Sequence, residues 1–110
     1  MQSKYRLKSK KSFNYIYKKG ESTANKYIAL LSVPSKFPKK FGFSVSKKVG
    51  NSVVRNKVKR RLKEIVRSYI PTIDDNFNYI LVARVGIETL SFQELQVFVK
   101  ELFVKKRFMN

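Results

Sequence analysis

Apolar residues recur along this chain at two spacings, and the switches between them divide it into a few elements. Phe13, Ile16 and Tyr17 stand at i, i+3 and i+4 within Lys10–Lys19, one face of a short helix that Gly20 ends. Tyr27–Val33 is an apolar run closed by Pro34, which reads as a buried strand. Ser35–Lys40, with Pro38, reads as a turn or hairpin loop. Phe41, Phe43 and Val45 then alternate with Gly42, Ser44 and Ser46, the period of a half-buried strand. Gly50-Asn51-Ser52 supplies a break and a helix cap, and Pro71 stops the helix that follows. Phe77–Val85 predicts a third strand, and Ser91–Arg107 a second long helix with Phe92, Leu95, Val99 and Leu102 at helical spacing. The predicted order is α-β-β-α-β-α, an α+β sandwich of helices against a small central sheet. Residues 1–110 form a single domain, with no internal repeat, low-complexity segment or dividing linker.

Asn51–Ile70 is the most informative stretch. On a helical wheel Val54, Val58, Leu62, Ile65 and Tyr69 form one apolar stripe, the expected core face. Arg55, Lys59, Lys63, Arg67 and Arg60 occupy the next arc with Asn56 among them, and Lys57 and Arg61 sit on the flanks. Like charges at i, i+4 each cost a few tenths of a kcal/mol in a free helix, about 0.2–0.5. Only Glu64 offsets them. A solvated face usually mixes signs. This one suits a helix laid against phosphates, with arginine forks gripping them bidentately and lysines acting as point charges.

Composition sharpens that reading. The 110 residues carry 25 Lys+Arg against 7 Asp+Glu, a formal charge of +18. Residues 1–70 hold 20 basic and 2 acidic side chains, and residues 71–110 hold 5 of each, so the whole excess lies in the first two-thirds. Such a field attracts polyanions. The longest apolar runs, Tyr27–Leu31 and Tyr79–Ala83, are five residues each, against the roughly 20 of a membrane helix. Lys4, Arg6, Lys8, Lys10 and Lys11 leave no room for a secretory apolar stretch, so a cytoplasmic location is expected. There is no cysteine and no histidine, which removes disulfides, thiol nucleophiles, Cys-ligated zinc and the commonest general acid/base. Asp74-Asp75 is the only adjacent acidic pair, and it reads as a solvated turn rather than a metal site. Nine Phe and six Tyr are many for so small a chain. Phe41, Phe43, Phe77, Phe92 and Phe98 are expected to face inward. Phe13 and Tyr17, framed by Lys10, Lys11, Lys18 and Lys19, suit either core anchoring or stacking on unpaired bases.

Leu7…Phe13…Tyr17…Gly20, then Gly42-Phe43-Ser44-Val45-Ser46-Lys47-Lys48-Val49-Gly50-Asn51, then Val54-Arg55-Asn56-Lys57-Val58-Lys59-Arg60-Arg61-Leu62-Lys63-Glu64 carry a resemblance. With the Ile80–Arg84 strand and the last helix, the chain resembles the bacterial ribonuclease P protein family over essentially its whole length. The family often has arginine where this chain has Lys57 and Lys63, and some members carry an aromatic at the position of Leu31.

The resemblance implies an α+β fold with a left-handed β-α-β crossover, the fold also found in the second domain of a small-subunit ribosomal protein. It implies a protein cofactor of a ribozyme whose RNA subunit uses magnesium to cut the 5′ leader from precursor tRNA. No catalytic residue and no protein-held metal are then expected. By the same resemblance Phe13, Tyr17 and Leu31 line the floor of a cleft for the single-stranded leader, with Arg55 and Asn56 at its edge. Lys47, Lys48, Lys57, Lys59, Arg60, Arg61 and Lys63 face the catalytic RNA. Precursor tRNA and the catalytic RNA are the expected partners, with no protein partner required. Two other classes compete: a structural ribosomal protein buried among rRNA helices, and a DNA-binding module with the basic helix in a major groove.

Overall fold

The computed structural model describes residues 1–110. A single 3-10 turn at Ser3–Tyr5 precedes α1 (Lys10–Lys19), β1 (Glu21–Ala24), β2 (Ile28–Pro34), β3 (Phe41–Val45), α2 (Ser52–Tyr69), β4 (Phe77–Ala83) and α3 (Phe92–Lys105). Each helix starts on a capping side chain, which satisfies an amide that the first turn leaves unpaired. The Ser9 hydroxyl accepts from Ser12 N, the Asn51 side chain accepts from Val54 N, and Ser91 forms a reciprocal capping box with Glu94. Gly20 follows α1, and Pro71 lies in the 3-10 turn Ile70–Thr72 that ends α2.

The sheet has the order β1-β2-β4-β3. β1 and β4 both run antiparallel to β2, whereas β3 runs parallel to β4. Parallel neighbours need a crossover, and α2 supplies it. The order expected from sequence is corrected at one point: there are four strands, because Glu21–Ala24 joins the sheet. Its sequence, Glu-Ser-Thr-Ala, has no apolar alternation to reveal it. It pairs from Glu21↔Ser32 to Ala24↔Ala29, and Asn25 Oδ1 closes the hairpin by accepting from Tyr27 N and Ile28 N, both at 3.0 Å. A short edge strand beside solvent needs backbone pairing and little else.

Tyr27–Val33 is apolar at nearly every position because helices lie over both faces of β2. On one face Ile28, Leu30, Phe41, Tyr79, Leu81 and Ala83 meet Val58, Leu62, Ile65 and Val66 of α2 and Leu95, Val99, Leu102 and Phe103 of α3. On the other, Val33 and Ile80 meet Leu7 and Ile16, with Phe13, Leu31 and Val82 packed around them. The apolar stripe of α2 is broader than the wheel suggests: Val66 is buried, while Val54 and Tyr69 are half-buried. α2 packs against both β3 and α3, so its buried arc spans two directions.

Two details depart from local pattern. Arg107 adopts a left-handed conformation (φ 60°) just after α3, and this returns Phe108 and Met109 to the core. Lys39 is not part of the basic surface. Its ammonium is buried and donates to the carbonyls of Ile70 and Ile73, tying the β2–β3 loop to the end of α2.

Candidate nucleic-acid interface

α1 lies alone on its face of the sheet and leaves part of that face uncovered. Strand register aligns Leu31, Ile80 and Gly42 in one row across this face, and Ala29, Val82 and Ser44 in the next. Ala29, Leu31, Ser44 and Val82 are only half-buried, a mostly apolar floor beside α1. Gly42 sets the height of the wall. A Cβ there would stand 2.6 Å from Phe13 Cζ and 2.7 Å from Phe13 Cε1, so only glycine lets the ring settle against the strand.

Phe13 therefore does both things the sequence left open: it anchors α1 and keeps part of its ring accessible. Tyr17, one turn further on, is 46% exposed, with its ring centroid 6.4 Å from that of Phe13. Leu31 packs against the same small apolar cluster as Phe13. The structure thus brings Phe13, Tyr17 and Leu31 to one face.

Beside β3, side chains of α1 and α2 border one cavity. This cavity, of about 140 Å³, is lined by Phe13, Gly42 and Phe43 together with Arg6, Lys59 and Lys63. Arg6 carries no sequence pattern that marks it as part of this site. It arrives because the N-terminal segment runs along β3, with an Arg6–Phe41 bridge and Leu7 N donating to Phe41 O at 2.9 Å. Its only sequence signal is the Arg6-Leu7 pairing of a cation with a buried residue, too short to have a period. The Lys63 ammonium is held below its ordinary range, first by desolvation and then by the positive charges of Arg6 and Lys59. Three cations thus border one small cavity, and an anion among them would relieve their mutual repulsion.

The remaining expected residues divide between two sides of α2. Arg55 is half-buried and its Nε has no hydrogen-bond partner, while Asn56 beside it is exposed. Arg60 is exposed and, with Lys63 and Arg67, lines a shallow hollow of about 350 Å³. Lys47 and Lys48 are exposed in the turn between β3 and α2. Lys57 and Arg61 lie on the opposite flank, around a hollow shared with Ile87, Glu88 and Leu95. There Arg61 Nη1 donates to Leu90 O at 3.1 Å, so this side chain also ties α2 to the loop before α3.

The ion pairs of the chain are Lys39–Asp75, Arg67–Glu64 and Lys106–Glu21. None neutralises Lys47, Lys48, Arg55, Lys57, Lys59, Arg60 or Lys63. No group of three or more His, Cys, Asp or Glu comes together to hold a metal ion. Asp75 pairs with Lys39, and Asp74 Oδ1 accepts from Asn76 N and Nδ2, so both acids serve the turn. No helix is long and apolar enough to cross a membrane.

Residues 1–107 match the family described as Ribonuclease P. The ribonuclease P protein component of Symbiobacterium thermophilum is 37% identical over 105 residues, covering 94% of this chain and 91% of that protein. That of Streptococcus pneumoniae is 36% identical over 97 residues, covering 87% and 79%. The structure of the Staphylococcus aureus RNase P protein superposes with a TM-score of 0.89 at 31% identity, covering 96% of this chain and 98% of that one. The RNase P protein of Thermotoga maritima superposes with a TM-score of 0.84 at 26% identity, covering 91% and 96%.

Proposed function

The chain belongs to the bacterial ribonuclease P protein family, a subunit of the endoribonuclease that matures the 5′ end of tRNA, and from that premise we propose how its surface divides the work. The single-stranded 5′ leader of precursor tRNA lies on the floor beside α1, against Phe13, Tyr17 and Leu31, with Arg55 and Asn56 at its edge. Lys47, Lys48, Lys57, Lys59, Arg60, Arg61 and Lys63 meet the phosphates of the catalytic RNA. The observation that carries this reading is the adjacency of two chemistries: an accessible aromatic wall and, across Gly42, a row of cations without acidic partners.

Physical chemistry assigns the roles. Unpaired bases gain about 1–3 kcal/mol each by stacking on aromatic side chains. Phosphates are met by lysine point charges and arginine forks, and their counterions are released. The chain has no histidine, the commonest general base, and no group of three or more acids gathered to hold a metal ion. In this reading magnesium is held by RNA and substrate, and the protein raises its effectiveness by placing the leader and screening phosphate repulsion. The family decides against a ribosomal or DNA-binding identity.

Cleavage of a 5′-labelled precursor tRNA at low magnesium tests the proposal. Ribonuclease P RNA with this protein should cut at the mature 5′ end where the RNA alone is nearly inert, and the protein alone should do nothing. Tyr17→Ala should then weaken leader binding, and Arg60→Ala binding of the catalytic RNA. Equal cleavage with and without the protein would overturn it.

A further inference from the structure

α1 has a second accessible side. Tyr15 lies about 200° around the helix from both Phe13 and Tyr17 at 100° per residue, so it points away from the cleft described above. It is 57% exposed, and Phe37, at the tip of the β2–β3 loop, is 77% exposed. These two aromatics line one groove of about 410 Å³, floored by Val33 and Pro34 and flanked by Lys11 and Lys36. Phe37 also borders a neighbouring cleft of about 660 Å³ that adds Lys4 and Lys40. The one acid there, Asp75, is already engaged by Lys39 at 3.0 Å.

The loop holds its shape. Phe37 N donates to Ser35 Oγ at 3.1 Å, Ser35 N to Asn76 O at 2.8 Å, and Lys40 N to Asn78 Oδ1 at 3.0 Å. An exposed phenylalanine on a fixed loop, sharing with a tyrosine a groove whose only charged residues are lysines, is poorly explained by solubility.

We propose that the groove between Tyr15 and Phe37 is a second binding site for single-stranded RNA, in which a base stacks on these rings and the flanking phosphates meet Lys11 and Lys36. A duplex would keep its base faces hidden, so an unpaired segment is the fitting ligand. A second copy of this chain would bring another +18 charge against the same cations, which disfavours self-association there. The inference rests on the chain being an RNA-binding subunit, not on where the leader lies.

Titrating the isotope-labelled full chain with hexauridylate, followed by the aromatic and backbone NMR signals, tests it. Tyr15, Lys36 and Phe37 should shift on adding RNA. The double variant Tyr15→Ala with Phe37→Ala replaces two exposed side chains, and its spectrum reports directly that it is folded. In it the groove signals should stop responding, and the dissociation constant for the hexanucleotide at that site should rise by about fivefold or more. If the wild-type signals move only at Tyr17 and its neighbours, the groove is overturned and the cleft stands. If no signal moves at either place, the proposal falls together with RNA binding by the free subunit. If Phe37 shifts with protein concentration in the absence of RNA, the groove is a self-association surface and the proposal is wrong.

Discussion

The ring of Phe13 rests where a side chain at residue 42 would have to be: the Cβ position of Gly42 is 2.6 Å from Phe13 Cζ. The wall of the cleft and the nearest strand are therefore one packed unit. Gly42→Ala should push the ring and α1 outward. Overpacking of this kind costs about 1–3 kcal/mol. Urea denaturation should register that loss, and leader affinity should fall alongside it. A Gly42→Ala protein as stable and as tight-binding as the wild type would mean that Phe13 has another place to go.

Lys63 gives a trade between stability and binding. Its pKa is lowered from the ordinary 10.5 by desolvation, then by Arg6 and Lys59. A lysine whose folded pKa lies below its unfolded value binds its proton less readily when folded. Its charge therefore weighs against folding at neutral pH, and the penalty fades as pH rises past the folded pKa toward 10.5. Lys63→Met should raise the melting temperature of the free protein slightly while weakening RNA binding. Arg6→Gln should move the Lys63 pKa upward, measurable by NMR of the lysine side chain. A melting temperature lowered by Lys63→Met would contradict the charge argument.

Lys39 should behave in the opposite way. It is buried, with its ammonium on the carbonyls of Ile70 and Ile73 and 3.0 Å from Asp75 Oδ1. Lys39→Met leaves those carbonyls and Asp75 without their donor, and breaking such a buried set costs about 3–5 kcal/mol. Asp75 is largely exposed, so the loss should lie toward the lower end. The folded fraction should still bind RNA with an affinity close to wild type. A stable Lys39→Met protein with weakened RNA binding would instead make this lysine part of the interface.

Salt should discriminate strongly. With six to eight phosphates neutralised by the cations of α2 and its preceding turn, RNA affinity should fall with a log–log slope of about −4 to −7. Replacing Lys47 and Lys48 together by alanine should make that slope shallower by about 1.4–1.8, at about 0.7–0.9 per phosphate. A slope unchanged in the double variant would remove the turn from the interface.

The start of α3 carries a pH signature. Hydrogen bonds from the Ser91 backbone and side chain hold the Glu94 carboxyl below its ordinary range. The cap therefore adds stability above the unfolded carboxylate pKa and loses it as pH falls through the lower folded value. Ser91→Ala should cost about 1 kcal/mol at neutral pH and less in acid. Equal losses at both pH values would show that the Ser91 hydroxyl does not act through the carboxylate, which the Ser91 backbone N–H still reaches in the variant.

Much of this protein is legible in local sequence chemistry alone. The helix at Lys10–Lys19 has the predicted bounds, because its apolar spacing, Ser9 and Gly20 are all local signals. Asn51, Pro71 and Ser91 likewise mark helix ends through chemistry confined to a few neighbouring residues. The surplus of cations on α2 was visible because charge and helical period are both properties of sequence.

Tertiary structure decided what depends on partners distant in the chain. β1 exists only through its pairing with β2, and its polar residues carry no trace of that. Arg6 joins Lys59 and Lys63 because the N-terminal segment runs beside β3, and Lys39 turns inward because unpaired carbonyls await it at the end of α2. A lysine in sequence is only a charge. Whether it becomes a phosphate contact or a buried brace is set by the dielectric and the acceptors that folding places around it.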